Sequence, residues 1–234
     1  MLENAEMTDP FDKGKRLVRA TLFEKSGLGK RYRGLELSGF EPKKTQLKAF
    51  ESAKSFCENY ITGKNHGEGL IFAGNCGSGK TMLAAAIAGE LINRVELDET
   101  RVGMAVMLNS DQWDTKKVLI KFTNVVTMLD RLRCSYDKFD PEGNSRAIIG
   151  EFETAPLLIL DDLGAEKPTG WSAERLYELI NYRYMEALPI IVTTNCTPDE
   201  LKARLDERLF DRIRAMCAYN ALTSERSMRI SAEI

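Results

Sequence analysis

The sequence predicts an α/β fold, a parallel β-sheet with helices on both faces. Three observations carry that prediction. The first is the run Gly74-Asn75-Cys76-Gly77-Ser78-Gly79-Lys80-Thr81, which fits G-x-x-x-x-G-K-[ST], a phosphate-binding loop. It lies between a short apolar run, Leu70-Ile71-Phe72-Ala73, and a helix-forming one, Met82-Leu83-Ala84-Ala85-Ala86-Ile87-Ala88. The second is a pair of further apolar runs, 157–160 and 190–194, short and unbroken as buried strands are. The third is the alternation of such runs with helical patterns, the signature of crossover connections in a parallel sheet.

The elements follow in order. Residues 1–10 are polar and predict an unstructured terminus. Residues 11–25 carry Phe11, Leu17, Val18, Leu22 and Phe23 among charges, an amphipathic helix with a basic side of Lys13, Lys15, Arg16 and Arg19. Its apolar face either packs on its own domain or docks on a partner. Ser26-Gly27-Leu28-Gly29 ends it, and a turn-rich connection runs to Pro42. Residues 45–61 read as a second helix with Leu47, Phe50, Ala53, Phe56 and Cys57 on one side. The helix after the glycine loop runs to about Asn93. Residues 95–117 change from polar to apolar and back, a hairpin or a loop. A strand at 118–122, a helix at 124–136 and a loop at 137–143 follow. After the strand at 157–160 come a helix at 172–185, the strand at 190–194 and one helix over 199–216. That last helix carries the stripe Leu201, Leu205, Leu209, Ile213 and Met216. This divides the chain into an extension, 1–42, and a nucleotide-binding domain, 43–234.

Composition narrows the function classes. The chain has 234 residues, 43% of them hydrophobic, enough for a sizeable core. A formal net charge of -2 gives no global basic field, so any nucleic-acid contact rests on a local patch. Cys57, Cys76, Cys134, Cys196 and Cys217 are scattered and odd in number, which predicts reduced thiols in a cytosolic protein. The single histidine, His66, sits in a polar loop, which argues against a structural zinc site. No run is long enough to span a membrane, and the N-terminus lacks a signal-peptide pattern.

The loop sets the chemistry. Glycines let its backbone turn N–H groups toward phosphate oxygens, and the helix N-terminus adds a positive end. Lys80 would reach the β- and γ-phosphates, and the Thr81 hydroxyl would bind Mg²⁺. Ligands of a parallel sheet gather at strand C-termini. The run 157–160 ends in Asp161-Asp162. Asp161 is placed to hold hydrated Mg²⁺ and Asp162 to polarise a water, unless the two are merely surface acids. The run 190–194 ends at Asn195, which either hydrogen-bonds a phosphate or water or serves as the turn residue before Cys196-Thr197-Pro198. Arg208 and Arg212, four apart, share a helix face, with Arg204 and Arg214 nearby. They either pair with Asp206, Glu207 and Asp211 or supply a cation to a neighbouring subunit's γ-phosphate.

Beyond the loop, Leu157-Leu158-Ile159-Leu160-Asp161-Asp162-Leu163-Gly164-Ala165-Glu166-Lys167 resembles the Walker B segment of bacterial and phage helicase loaders of the DnaC/DnaI type. Trp171-Ser172-Ala173-Glu174-Arg175-Leu176-Tyr177 and Asn181-Tyr182-Arg183-Tyr184 resemble that family's next helix. Leu188-Pro189-Ile190-Ile191-Val192-Thr193-Thr194-Asn195 resembles its sensor-1 strand, and Glu207-Arg208-Leu209-Phe210-Asp211-Arg212-Ile213-Arg214 its arginine-finger helix. The resemblance covers roughly residues 26–230. It implies a P-loop NTPase of the AAA+ type, with little or no C-terminal lid, that binds ATP and Mg²⁺. It also implies self-association with an arginine finger in trans, and delivery of a replicative hexameric helicase to single-stranded DNA.

The family roles carry over by position. Gly74, Asn75, Cys76, Gly77, Ser78, Gly79, Lys80, Thr81 and Met82 form the nucleotide loop. Thr81 and Asp161 hold the metal, Asp162 stands for the catalytic acid and Asn195 for sensor 1. Arg212 is the finger candidate with Arg208 its alternative, and Arg226 resembles the sensor-2 arginine. Lys121, Arg131, Arg133 and Tyr136 lie where loaders carry a DNA-contacting helix. Three features depart from the family pattern. Asp162 is shorter than the usual Glu, 95–117 is longer than the usual connection, and the N-terminal region is shorter than a helicase-gripping domain. The competing readings are a transposition helper ATPase, which shares the fold, a small-molecule P-loop kinase, and a non-hydrolysing ATP-bound scaffold. The tail 163–167 favours the loader.

Overall fold

The computed structural model describes residues 10–94, 120–136 and 141–223. In chain order the elements are α1 (Pro10–Ser26), α2 (Leu47–Ile61), β1 (Gly69–Ala73), α3 (Lys80–Arg94), β2 (Ile120–Asn124), α4 (Val125–Tyr136), α5 (Pro141–Glu153), β3 (Leu157–Asp161), α6 (Gly170–Met185), β4 (Ile190–Thr194), α7 (Pro198–Arg204), α8 (Glu207–Met216) and β5 (Cys217–Ala221). Three short 3₁₀ turns, Lys30–Tyr32, Leu37–Gly39 and Lys44–Gln46, connect α1 to α2.

The five strands form one sheet in the order β2-β3-β4-β1-β5, with every pairing parallel. Side chains of a strand alternate between faces. Leu70, Phe72, Leu157, Ile159 and Ile191 therefore point to one face, where they meet Val18, Leu22 and Phe23 of α1 and the buried sides of α2 and α3. Ile71, Leu158, Leu160, Ile190 and Val192 point to the other, against α4 to α8. Both faces are covered, which is why β1, β3 and β4 are buried at every residue and carry unbroken apolar runs ahead of the polar C-terminal residues of β3 and β4. The chain leaves β1 for the far edge at β2, then returns through β3 and β4. The crevice above β1, β4 and β3 is thus the switch point of the sheet, where ligands of open α/β folds bind.

Several expectations are corrected. The single helix over 199–216 is two helices. Leu205 is extended (φ -92°, ψ 155°), and the Asp206 carboxylate accepts from the Arg208 N–H to cap a new start. All five residues of the apolar stripe are nonetheless buried. The loop over 137–143 gives way to α5 from Pro141, although the segment holds Gly143, Asn144 and Gly150, all poor helix formers. Tertiary contacts hold it. Ile149 and Phe152 are buried, and the fully buried Arg183 guanidinium donates to the carbonyls of Phe152 (2.8 Å), Glu153 (3.1 Å) and Ala155 (2.8 Å) at its C-terminal end. The second arm of Arg183 reaches Pro189 O at 2.6 Å, tying α5 to the entrance of β4. Of the strand expected at 118–122, residues 118 and 119 lie outside the described residues, and the described part, Ile120–Asn124, runs two residues further than expected; β5 was not foreseen. The segment 95–117, Arg226 and residues 1–9 lie outside the described residues.

Val18, Leu22 and Phe23 of α1 pack on the sheet, at 1%, 1% and 8% exposure, while Leu17 is 41% exposed. Among the described residues no helix is long and apolar enough to cross a membrane. The five cysteines are free thiols, Cys57 and Cys217 buried and Cys76 and Cys134 exposed. Burial pushes the Cys57 thiol up to about 12, with the Glu90 carboxylate adding to the shift.

Candidate nucleotide-binding site

The glycine loop leaves β1 and ends where α3 begins at Lys80. Gly77 and Gly79 sit at φ +78° and +95°, which a side chain would strain, so only glycine makes this turn at low cost. Leu83 N–H donates to Gly79 O at 2.9 Å, the first closure of the helix. The amides of Lys80, Thr81 and Met82 therefore have no carbonyl within the helix to bond. Outside bonds hold the loop in shape. Gly74 N–H donates to Thr194 O at 3.1 Å, and the buried Gln46 side chain donates to Ser78 O at 2.7 Å. The Ser78 hydroxyl is buried and has no hydrogen-bond partner among the described residues.

Lys80 is 5% exposed and lies folded into the loop. Its Nζ donates to Gly74 O (2.8 Å), Asn75 O (2.9 Å) and Asn195 Oδ1 (2.9 Å). Asn195 ends β4, so this contact joins the loop to the neighbouring strand's C-terminus. On the other side Thr81 Oγ1 donates to Asp161 Oδ1 at 2.8 Å, and Thr193 Oγ1 donates to the same oxygen at 2.7 Å. The Thr193 hydroxyl in turn accepts from Asp162 N–H at 2.9 Å. Asp162 is in the left-handed region at φ +59°, which Asp tolerates better than most residues. Its carboxylate lies between two amides, Asn124 Nδ2 and Asn195 Nδ2, each at 3.4 Å. The register explains the first of these, because Asn124 pairs with Asp161 across β2 and β3.

A cleft of about 170 Å³ is lined by Lys80, Thr81, Met82, Asp162 and Asn195, by Cys76, Gly77 and Gly79 of the loop, and by Arg31 and Tyr32 from the first 3₁₀ turn. Cys76 is exposed at its edge. The residues fit a phosphate ester with a hard divalent cation. The backbone at the start of α3 and the Lys80 ammonium suit phosphate oxygens, while Thr81 and Asp161 offer adjacent hard oxygens. Among the described residues there is no cluster of three acidic, His or Cys side chains able to hold a metal by itself, so such a cation would share its ligands with the phosphates. Asp161 points the same way. Burial raises its carboxyl above the ordinary range, against the lowering pull of the Thr193 and Thr81 hydroxyls, and Asp162 adds to the rise.

A carboxyl raised by folding favours the folded state most when protonated. Asp161 therefore lowers stability as pH climbs from the ordinary aspartate range through the raised value. The substitution Asp161→Asn keeps an oxygen to accept both hydroxyls and removes the buried charge. Its expected result is a higher melting temperature at neutral pH without nucleotide, together with a loss of nucleotide hydrolysis of at least about a hundredfold. Melting curves at acidic and neutral pH check the sign, because the gain should shrink as pH falls.

The sequence-predicted residues divide into two groups. Lys80, Thr81, Asp161, Asp162 and Asn195 are brought together. Arg208 and Arg212 are not, since neither lines the cleft of its own chain. Arg208 Nε bonds Asp206 Oδ1 at 3.2 Å and its guanidinium lies 5.0 Å from the Tyr177 ring. Arg212 lies 4.3 Å from the Tyr184 ring. Arg204 donates to Gly164 O at 2.8 Å. Of the residues named for DNA, Lys121 pairs with Glu151 (3.5 Å), Arg131 lies over Phe152 and Arg133 over Trp171. The side chain of Tyr136 lies outside the described residues. Thr193, Asn124, Arg31 and Tyr32 were not singled out in the sequence. The first two carry a signal in hindsight, a polar residue at the C-terminal end of a strand.

No family model matches the chain. It is 28% identical over 149 residues to an uncharacterized Bacillus subtilis protein, YqaM, and 27% identical over 145 residues to the Escherichia coli K12 replicative helicase loader DnaC. Each match takes in 62% of this chain but only 39% and 49% of those proteins, so the chain spans less than half their length. In structure it matches a crystal structure of the DnaC helicase loader with a TM-score of 0.62 and 26% identity, over 83% of this chain and 99% of that one. The chain has the P-loop fold of the AAA+ type, and in sequence and structure it resembles helicase loaders of the DnaC/DnaI type.

Proposed function

We propose that the chain is an ATP-dependent helicase loader of DNA replication, a cytoplasmic protein that binds ATP with Mg²⁺ and self-associates. In this reading it delivers a replicative hexameric helicase to single-stranded DNA. The observation that carries it is the joining of Lys80, Asn195, Asp161 and Thr81 at the C-terminal ends of β1, β3 and β4 in a fold shared with a helicase loader.

The chemistry is phosphoryl transfer to water, which depends on positioning and charge. The loop amides and Lys80 bind the β- and γ-phosphates. Thr81 and Asp161 would hold Mg²⁺, which would supply charge neutralisation to the triphosphate. Asp162 accepts a proton from, or orients, the attacking water, and Asn195 fixes either that water or the γ-phosphate. Asp162 is one methylene shorter than glutamate and sits between two amides, so slow turnover is expected. Arg212, with Arg208 as the alternative, completes a neighbouring subunit's site, and Arg226 takes the sensor-2 role. The extension 1–42 and the domain 43–234 belong to one working unit, because α1 shares the core of the sheet. ATP acts as a switch that stabilises one assembly, and hydrolysis resets it.

The test is a reconstituted transfer. The protein, a replicative hexameric helicase and circular single-stranded DNA are mixed with ATP, and DNA-bound helicase is counted after gel filtration. Helicase deposition that requires both the protein and ATP is the expected result. A stable complex with a transposase, and no effect on helicase deposition, would move the protein to the transposition helpers instead.

A further inference from the structure

We propose that Arg31 is a cis-acting ligand of the terminal phosphate, a residue that makes the site prefer a nucleoside triphosphate over a diphosphate. The inference rests on the nucleotide-binding reading above and extends it to a residue outside the glycine loop and the strand ends.

Arg31 lies in the 3₁₀ turn Lys30–Tyr32, forty-odd residues before the glycine loop, yet its side chain lines the same cleft as Lys80, Thr81, Asp162 and Asn195. In the reading above, Asp162 and Asn195 mark the terminal-phosphate end of that cleft, and Cys76, Gly77, Gly79 and Met82 line it as well. Residues that bound the loop on its other flank, Gln46 under the Ser78 carbonyl and Thr45 bonded to Thr223 O, do not line the cleft. Arg31 is exposed, and among the described residues it has no hydrogen bond, ion pair or ring partner. Its neighbour two residues on is committed, since Arg33 lies 3.5 Å from the Glu24 carboxylate and 5.5 Å from the Phe23 ring centroid. An uncommitted guanidinium beside an anion cradle is a planar fork of donors suited to phosphate oxygens.

The turn that carries Arg31 is pinned. At Gly27, φ is +82° and the backbone approaches β2 so closely that a Cβ would stand 2.6 Å from Phe122 O. Ser26 Oγ accepts from Leu28 N–H at 3.2 Å, and Leu28 is buried. Tyr32 N–H donates to Gly29 O at 2.9 Å, and the Tyr32 ring sits 6.2 Å from the Phe122 ring. The backbone of Arg31 is therefore fixed against β2, next to β3 and its Asp161-Asp162 end. Only the flexible side chain has to close on the ligand. A γ-phosphate adds negative charge that a diphosphate lacks, so a cation at this end favours the triphosphate selectively.

Calorimetric titration with ATP and with ADP, in the presence of Mg²⁺, tests this on wild type, Arg31→Ala and Arg31→Lys. Arg31→Ala is expected to lose on the order of tenfold in ATP affinity, the size of one charge-assisted hydrogen bond, and to stay within about twofold for ADP. Arg31→Lys is expected to recover part of the loss. The melting temperature without nucleotide should not move, because nothing in the fold leans on this side chain. Unchanged ATP affinity in Arg31→Ala, or equal losses for ATP and ADP, overturns the assignment while leaving the nucleotide site standing. A wild-type protein with no affinity for ATP overturns both.

Discussion

Lys80→Ala is expected to abolish nucleotide binding, or to lower hydrolysis by about 10²–10³-fold where binding survives at high concentration. Lys80 is the one ammonium inside the glycine loop, and it is nearly buried. Alanine removes the charge that faces the phosphates and leaves three acceptors, Gly74 O, Asn75 O and Asn195 Oδ1, without their donor. The cradle loses its charge and its side-chain link to Asn195 together, while the backbone bond from Gly74 N–H to Thr194 O remains. Phosphate release and nucleotide titration on the same sample measure the two consequences, and a melting curve shows whether the fold survives. Normal turnover in Lys80→Ala would refute the placement of the phosphates.

Arg212→Ala is expected to bind nucleotide within about twofold of wild type and to hydrolyse it about 10³-fold more slowly, the lower end of what a trans-acting arginine supplies. The separation follows from position. Arg212 sits on α8 over Tyr184 and takes no part in the cleft of its own chain. Stacking on an exposed ring is worth about 0.5–1 kcal/mol, small against the catalytic loss expected. Arg208 is tied to Asp206 at the helix start, so Arg208→Ala should have the smaller effect. Mixing decides whether the arginine works between subunits. Lys80→Ala contributes an intact arginine and Arg212→Ala an intact nucleotide loop, so mixed assemblies should recover part of the activity that neither has alone. An absence of rescue at every mixing ratio would contradict a shared site.

How much of this was legible in the sequence depended on burial. The strands β1, β3 and β4 are covered on both faces, and their unbroken apolar runs announced them. β5 lies at the sheet edge with Ala218, Tyr219 and Ala221 exposed, and that leaves no apolar run to read. α5 is held by the carbonyl contacts of Arg183, which no local propensity encodes. The break between α7 and α8 was present as a cap, Asp206, but a continuous leucine stripe concealed it. The site shows the same division. Lys80, Thr81, Asp161, Asp162 and Asn195 follow short strands in the chain and could be placed at strand ends. Asn124 reaches Asp162 only through the register of β2 on β3. Arg31 reaches the cleft only through the path of a connection that has no periodicity.

The central claim is that a triphosphate lies on the amides opening α3, with its terminal end toward Asp162 and Asn195. Titration of the purified protein with ATP and Mg²⁺ tests it most directly. The account predicts one nucleotide bound per chain, lost in Lys80→Ala. No affinity for adenine nucleotides at any salt or magnesium concentration would contradict it.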